Sequence, residues 1–183
     1  KYPTLSLGYE KGFAANEKKY EFDHLNTRLA YDLILGNKGV LGLNLKAGKF
    51  FNAENIAFID YKHFNGNQTH LGQSERYLNV FNLLPYYSNS TNNSYFELHS
   101  EYNDKGYIMN KIPLLNKLKS TLNLGFHSLS TPTNNPYNEV TVGLDNLGFG
   151  KFKIFRMDYV RSYQGGFKGE GVVFGLKFLD ILE

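Results

Sequence analysis

The sequence predicts an all-β protein, an antiparallel up-and-down transmembrane β-barrel with about eight strands in this chain. Apolar and polar residues alternate with a period of two in segments that recur along most of the chain. No apolar run approaches the roughly 18 residues of a membrane-spanning helix. Barrel strands need no such run, because polar residues alternate with the lipid-facing ones.

The alternating segments are separated by residues that favour turns. In chain order they are Leu5–Tyr9, Leu25–Leu35, Leu41–Ala47, Tyr77–Leu83, Phe96–Ile108, Leu122–Phe126, Asn138–Tyr163 and Val172–Phe178. The alternation is weakest in Tyr77–Leu83. Turn chemistry marks "GNKG" from Gly36, "SNSTNNS" from Ser88, "STPTNNP" from Ser130 and "QGGFKGE" from Gln164. Asn52–Ser74 is a longer, irregular stretch.

The strand count depends on "NLGFGK", residues Asn146–Lys151. A turn there gives nine strands, whereas a kink gives eight, and single-chain bacterial barrels have an even number of strands. The kink is therefore preferred. With eight strands, the turns at Gly36, Ser88 and Thr131 share the periplasmic end, and Asn52–Ser74 and Asn110–Lys119 lie at the outer end.

Three observations favour lipid over a soluble core as the surroundings of the apolar face. Leu25–Leu35 alternates without a break over eleven residues, which suits the 9–11 residues of a tilted membrane strand better than the usual 5–6. The polar face mixes Gly and Asn with charges of both signs. Aromatic residues collect at strand ends, as in an interfacial girdle. The alternative is a soluble β-barrel that binds a small apolar ligand.

The alternation assigns side chains to two faces of the barrel wall. The residues expected to face lipid are Leu29, Leu33, Leu43, Phe96, Leu98, Leu124, Phe126, Phe174, Leu176 and Phe178. The residues expected to form a polar network in the lumen are Glu97, His99, Glu101, His127, Glu139, Arg156 and Asp158. In the lumen, pairs of opposite charge would help to fix the strand register.

Composition narrows the classes of function. The 183 residues suit a single domain, residues 1–183, or part of one. The chain starts at Lys1 without a signal region, which indicates a mature chain or a fragment. The 20 basic and 17 acidic residues are interspersed, so nucleic acid is not expected as a partner. The chain has no cysteine, so no disulfide or thiolate metal site is expected.

Catalysis is not expected either, and no cofactor or metal is predicted. Outer-membrane acyl hydrolases and acyltransferases use Ser and His groups on barrels, and Ser100 and Ser128 adjoin His99 and His127 in sequence. Neighbouring residues in a strand point to opposite faces, so each serine is turned away from its histidine. An acyl hydrolase or acyltransferase is thus a weaker alternative than a non-enzymatic barrel.

Several motifs resemble the C-terminal barrel region of a Bacteroidota outer-membrane family of unknown function. They are "FNLL" (Phe81–Leu84), "NKIPLLNKLK" (Asn110–Lys119), "EVTVGLDN" (Glu139–Asn146) and "FRMDYVRSY" (Phe155–Tyr163). Longer members of that family carry an N-terminal carboxypeptidase-regulatory-like domain. The family's barrel is similar to that of the surface-antigen superfamily, which includes BamA and TamA.

The resemblance implies a location in the bacterial outer membrane and a role in outer-membrane protein or lipid assembly, translocation or anchoring. Membrane lipid, and periplasmic or barrel-assembly proteins, are the partners it implies. Barrels of the superfamily have more strands than this chain supplies, and an eight-stranded lumen would be crowded by the charged residues assigned to it. The chain is therefore expected to be the C-terminal half of a larger barrel.

Overall fold

A computed structural model describes residues 2–13, 17–66, 69–71, 78–113, 115–149 and 152–176. Apart from short 3-10 turns, the regular structure in these residues is β-strand. The strands are β1 (Thr4–Gly12), β2 (Phe22–Ile34), β3 (Val40–Phe51), β4 (Thr69–Leu71), β5 (Ser94–Asn103), β6 (Thr121–Thr131), β7 (Asn134–Phe149), β8 (Phe152–Gln164) and β9 (Phe167–Leu176). None of the helices in the described part of the chain is long and apolar enough to cross a membrane.

The strands form one sheet in the order β1-β2-β3-β5-β6-β7-β8-β9-β4. The eight long strands, β1–β3 and β5–β9, each pair antiparallel with the next, which confirms the predicted all-β up-and-down arrangement. The short β4 pairs parallel with β9. In the described residues β1 and β9 do not pair with each other, so the sheet is open.

The sheet curls strongly around one face. Strands β5 and β8 are separated by β6 and β7, so in a flat sheet they would lie roughly 14 Å apart. Nevertheless, Arg156 Nη2 in β8 lies 2.8 Å from Glu101 Oε2 in β5. Side chains of these two strands therefore meet across a concave face, as they do across the lumen of a barrel.

Two strand predictions are wrong and compensate each other in the count. The described part of Tyr77–Leu83 forms no strand, and only an isolated bridge joins Phe81 to Gly66. At "NLGFGK", β7 ends at Phe149 and β8 begins at Phe152, so the chain turns there and does not kink. Gly150 and Lys151 lie outside the described residues.

The predicted arrangement of the two ends is also wrong. Residues 13–21, 52–93, 132–133 and 165–166 connect strands at one end of the sheet, because the strands simply run up and down. Residues 35–39, 104–120 and 150–151 connect them at the other end, where β1 starts and β9 finishes. The turn at Gly36 is therefore at the end opposite to Ser88 and Thr131, and Asn110–Lys119 lies opposite to the long connection, residues 52–93.

The long connection folds back over the concave face and creates the apolar core at its own end of the sheet. Ala53, Ile56, Phe64, Phe81 and Leu84 of the connection are buried. They cluster with five residues of the strands, which are Phe22, Phe50, Tyr95, Leu129 and Tyr137. The apolar core thus lies between the connection and one end of the sheet, and it does not run the length of the sheet.

Asp104 organises the turn that follows β5. Its carboxylate accepts backbone N–H groups from Gly106 at 2.9 Å, Ile108 at 2.9 Å, Met109 at 3.1 Å and Leu122 at 2.8 Å. Burial by itself raises the pKa of the Asp104 carboxyl group, but the four donors stabilise the charged form and hold its pKa below the ordinary value. The turn therefore depends on an ionised side chain.

Candidate functional site

The seven residues predicted for the polar network all lie on the concave face and are at most 3% exposed. Glu97, His99 and Glu101 alternate along β5, and the others come from β6, β7 and β8. Alternation aims them at one face because successive side chains of a strand point to opposite sides. Curling of the sheet then brings them together as two clusters and one anchor point.

The first cluster is centred on Arg156. Its Nη1 and Nη2 donate to the two carboxylate oxygens of Glu101 at 3.1 and 2.8 Å, and its Nε donates to Asp158 Oδ2 at 2.7 Å. Such bidentate pairing is among the strongest hydrogen bonding available to side chains. The guanidinium therefore ties β5 to β8 across the concave face.

Two glycines make room for this cluster. Gly125 in β6 lies directly opposite Glu101, and Gly143 in β7 lies directly opposite Asp158. A Cβ atom at Gly143 would overlap Asp158 Oδ1, and one at Gly125 would overlap Thr141 Oγ1. The small residues between β5 and β8 thus leave space for the long side chains to meet.

The second cluster links a lysine, a glutamate and two histidines. Lys46 Nζ donates to Glu97 Oε1 at 2.9 Å, and His99 Nε2 lies 2.6 Å from the same oxygen. His99 Nδ1 lies 2.8 Å from Nδ1 of His127 on the neighbouring strand. The four side chains form a continuous hydrogen-bonded row from β3 to β6.

The hydrogen bonds of the row constrain where its protons lie. A carboxylate can only accept, so the contact with Glu97 Oε1 places a proton on His99 Nε2. Of the two facing Nδ1 atoms of His99 and His127, one donates and the other accepts. Glu97 is the shared acceptor for Lys46 and His99.

The inserted segment, residues 78–84 of the long connection, covers this row. The Phe81 ring is fully buried, and its centroid lies 4.7 Å from that of His99, 6.3 Å from that of His127 and 5.8 Å from that of Tyr137. The histidine pair is thus shielded from solvent by an apolar ring that the strands do not provide.

Glu139 in β7 anchors the inserted segment to the wall. Its carboxylate accepts the backbone N–H of Asn82 at 2.7 Å and that of Leu83 at 2.7 Å. The Asn82 Nδ2 and the Tyr137 hydroxyl donate to it as well, at 3.1 and 2.7 Å. Four donors on one fully buried carboxylate satisfy it without a cation.

A second anchor was not anticipated from the sequence. Asn44 in β3 is buried, and its Nδ2 lies 2.6 Å from the carbonyl oxygen of Leu78 and 2.6 Å from Asn79 Oδ1. Its Oδ1 accepts Arg28 Nε at 2.9 Å. The available signals were the polar position of Asn44 in an alternating strand and the "FNLL" motif, but neither indicates which residues meet.

The nine described residues among those predicted to face lipid lie on the opposite, convex face. Phe174 is 62% exposed, and Leu29, Leu33, Phe96, Leu124 and Phe126 are also exposed. Leu43, Leu98 and Leu176 on the same face are half-buried between neighbouring side chains. Phe178 lies outside the described residues.

The serines next to His99 and His127 in sequence do not share a face with them, whereas His63 Nδ1 of the long connection lies 2.7 Å from Ser90 Oγ. The Ser100 hydroxyl donates to the Phe126 carbonyl at 3.2 Å on the other face of the sheet. The described residues contain no group of three His, Asp or Glu side chains that could hold a metal ion. The chemistry that the clusters do support is charge pairing, hydrogen bonding and the seating of a peptide segment.

One comparison with known proteins gives a match. The family described as "Family of unknown function (DUF5686) C-terminal domain" matches residues 1–144, which is more than half of the chain. The chain belongs to this family. The matched part of this DUF5686 domain runs from β1 into β7 and contains Asn44, Phe81 and Glu139, so it includes the inserted segment and both of its anchors. Neither the curated proteins nor the solved structures include a significant match.

Proposed function

We propose that this domain forms part of a β-barrel in the bacterial outer membrane, with the convex face against lipid and the concave face as the lumen. The observation that carries the proposal is the inversion of the two faces. Phe155 and Met157 are 50% and 42% exposed, whereas Arg156 between them is 2% exposed. A water-soluble sheet would place the arginine outside and the apolar pair inside.

The length of the strands also supports a membrane around the convex face. The long strands have between 9 and 16 residues, which is enough to cross a bilayer at a tilt. Backbone groups within an up-and-down sheet are satisfied by neighbouring strands, as hydrocarbon requires. The connection of greatest length, residues 52–93, lies at the end away from the start of β1, and long loops of such barrels face the cell exterior.

Filling of the concave face favours an anchoring or assembly role over that of an open pore. The inserted segment and the two charged clusters occupy much of the concave face, which leaves little room for a wide water-filled channel beside β5–β8. We infer that the domain anchors the protein in the outer membrane and supports assembly or translocation of other membrane components, as its resemblance to the surface-antigen superfamily suggests. A soluble barrel for an apolar ligand would need an apolar interior, and this concave face is charged.

Tryptophan fluorescence tests the orientation, because the chain has no native tryptophan. In vesicles that contain brominated lipid, the emission of a Phe126→Trp variant should be strongly quenched. The emission of Phe81→Trp, with the ring in the inserted segment, should be quenched little. Equal quenching of both variants, or release of the protein from cell envelopes by alkaline carbonate, would contradict a membrane barrel.

A further inference from the structure

Two cations lie side by side on the concave face. Arg28 in β2 and Lys46 in β3 are directly opposite each other in the sheet register, so their side chains share a face. Like charges in directly opposite positions destabilise a strand pair. A compensating negative charge is therefore expected near both.

The described protein groups compensate only one of the two. Lys46 Nζ has Glu97 Oε1 at 2.9 Å, but Glu97 is also bound by His99. Arg28 uses Nε for the neutral amide oxygen of Asn44, and none of the ion pairs among the described residues includes Arg28. The two terminal nitrogens of its guanidinium remain available to an anion.

A third cation approaches from the long connection. Lys62 and Arg28 line the same open cleft of about 420 Å³ between β1–β3 and residues 59–62. Lys62 Nζ lies 5.7 Å from the Tyr95 ring centroid and is likewise absent from the ion pairs of the described residues. The carboxylates of the cleft are Glu10, which is 3.7 Å from His24 Nδ1, and Asp60.

Flat rings form another part of the cleft. The His24 and Phe50 rings are stacked with centroids 4.1 Å apart and an interplanar angle of 9°. Tyr95 lies beside them, with its hydroxyl 3.3 Å from His24 Nε2. The cleft thus combines a rigid ring surface with two cations, Arg28 and Lys62, that have no carboxylate partner among the described residues, and with Lys46, which shares Glu97 with His99.

We propose that this cleft binds a phosphate group carried by a small organic molecule or by a lipid. The Arg28 fork and the Lys46 and Lys62 ammonium groups would contact the phosphate oxygens, since planar guanidinium binds phosphate in a bidentate manner. The carbon skeleton would lie on the ring surface. The inference concerns a site that the proposed membrane function does not require, and it can fail independently of that function.

Calorimetric titration of the purified protein in a neutral detergent tests the proposal. Glycerol 3-phosphate is the soluble probe, dioctanoyl phosphatidic acid is the lipid probe with the same head group, and glycerol is the uncharged control. Arg28→Gln and Lys62→Gln should each weaken phosphate binding at least tenfold, and Arg28→Lys should weaken it less than Arg28→Gln. Lys38→Gln removes one charge from an exposed turn and should leave binding unchanged.

Binding of glycerol 3-phosphate with this pattern supports a soluble phosphate ester as the ligand. Binding of phosphatidic acid alone, with the same pattern, supports a lipid headgroup. The proposal is overturned if neither probe binds at millimolar concentration, or if Lys38→Gln weakens binding as much as the cleft variants do. Melting curves of every variant establish that a lost signal reflects the cleft and not unfolding.

Discussion

The guanidinium of Arg156 in β8 holds both carboxylate oxygens of Glu101 in β5, although two further strands separate them in the sheet. The contact shows that the sheet curves enough to bring side chains of β5 and β8 together. It also places an ion pair where water has almost no access, since both side chains are at most 2% exposed.

Removal of Arg156 should cost more stability than removal of Glu101. Arg156→Met leaves the carboxylates of Glu101 and Asp158 buried without their shared cation, and loss of one partner of a buried pair costs about 3–5 kcal/mol. Glu101→Gln leaves the guanidinium with Asp158 and should cost less. Urea titrations in lipid vesicles would measure both, and the double variant should lose less than the sum. Strict additivity would show that the pair is not coupled.

Arginine substitutions on the convex face should lower the free energy of unfolding by an amount that depends on their depth in the bilayer. Leu29 and Leu33 lie on the same face of β2 and are 36% and 37% exposed, but Leu29 is near the middle of the strand and Leu33 near its end. In a bilayer, Leu29→Arg should destabilise by about 2–4 kcal/mol and Leu33→Arg by about 0–1 kcal/mol. Folding titrations in vesicles would compare the two. Because exposure is matched, equal costs would argue against a membrane around this face.

Stability should fall in acid through Asp104. Its folded pKa is below the ordinary value of about 3.9. The stabilisation by its carboxylate is therefore fully present above the unfolded pKa and is lost as the pH falls through the folded pKa. Asp104→Asn should cost on the order of 2–3 kcal/mol at neutral pH, since an amide nitrogen would face backbone donors. The variant should also lose less stability than the natural protein between pH 5 and 2, as measured by unfolding at fixed pH values. An identical acid profile would exclude Asp104 as its source.

The inserted segment should loosen when Glu139 can no longer bind it. Glu139→Gln keeps the size of the side chain but replaces one acceptor oxygen with a donor, so the N–H groups of Asn82 and Leu83 lose a charged partner. Hydrogen exchange of these two amides should speed up at least tenfold, because bonds to a charged group contribute about 1.5–3 kcal/mol. Glu170→Gln, on the exposed edge of β9, is the control. Unchanged exchange would mean that Phe81 packing alone holds the segment.

The strands and their two faces could be predicted from the sequence because alternation records the environment of each side chain directly. Leu124, Phe126 and His127 illustrate this, since their parity alone separates the exposed pair from the buried histidine. The partners of Arg156 were not predictable, because they depend on how far the sheet curls. Parity assigns a face but carries no information on which residues meet across a concavity.

The misread segments have physical causes as well. Tyr77–Leu83 resembles a strand because Phe81 and Leu83 are spaced by two, yet Phe81 is buried between the sheet and other residues of the long connection. The turn after Phe149 was hidden because strand-forming residues flank it on both sides. Asn146 and Gly148 have positive φ values of 58° and 146°, and the register of β7 shifts there, which marks an irregular strand end.

The contacts of the inserted segment join residues that are far apart in the chain. Asn82 and Glu139 are 57 residues apart, and Asn89, at the end of the same connection, bonds Gln164 a further stretch along the chain. Residues 78–84 therefore precede Glu139 in the chain, whereas their other anchor, Asn44 of β3, comes before them. Contacts between residues this distant in sequence form slowly, so we expect docking of the segment onto β7 to follow the pairing of β7 with its neighbours. Until the segment docks, Phe81 and Leu84 lack their buried surroundings, so an apolar stretch of the chain is open to aggregation or to a chaperone.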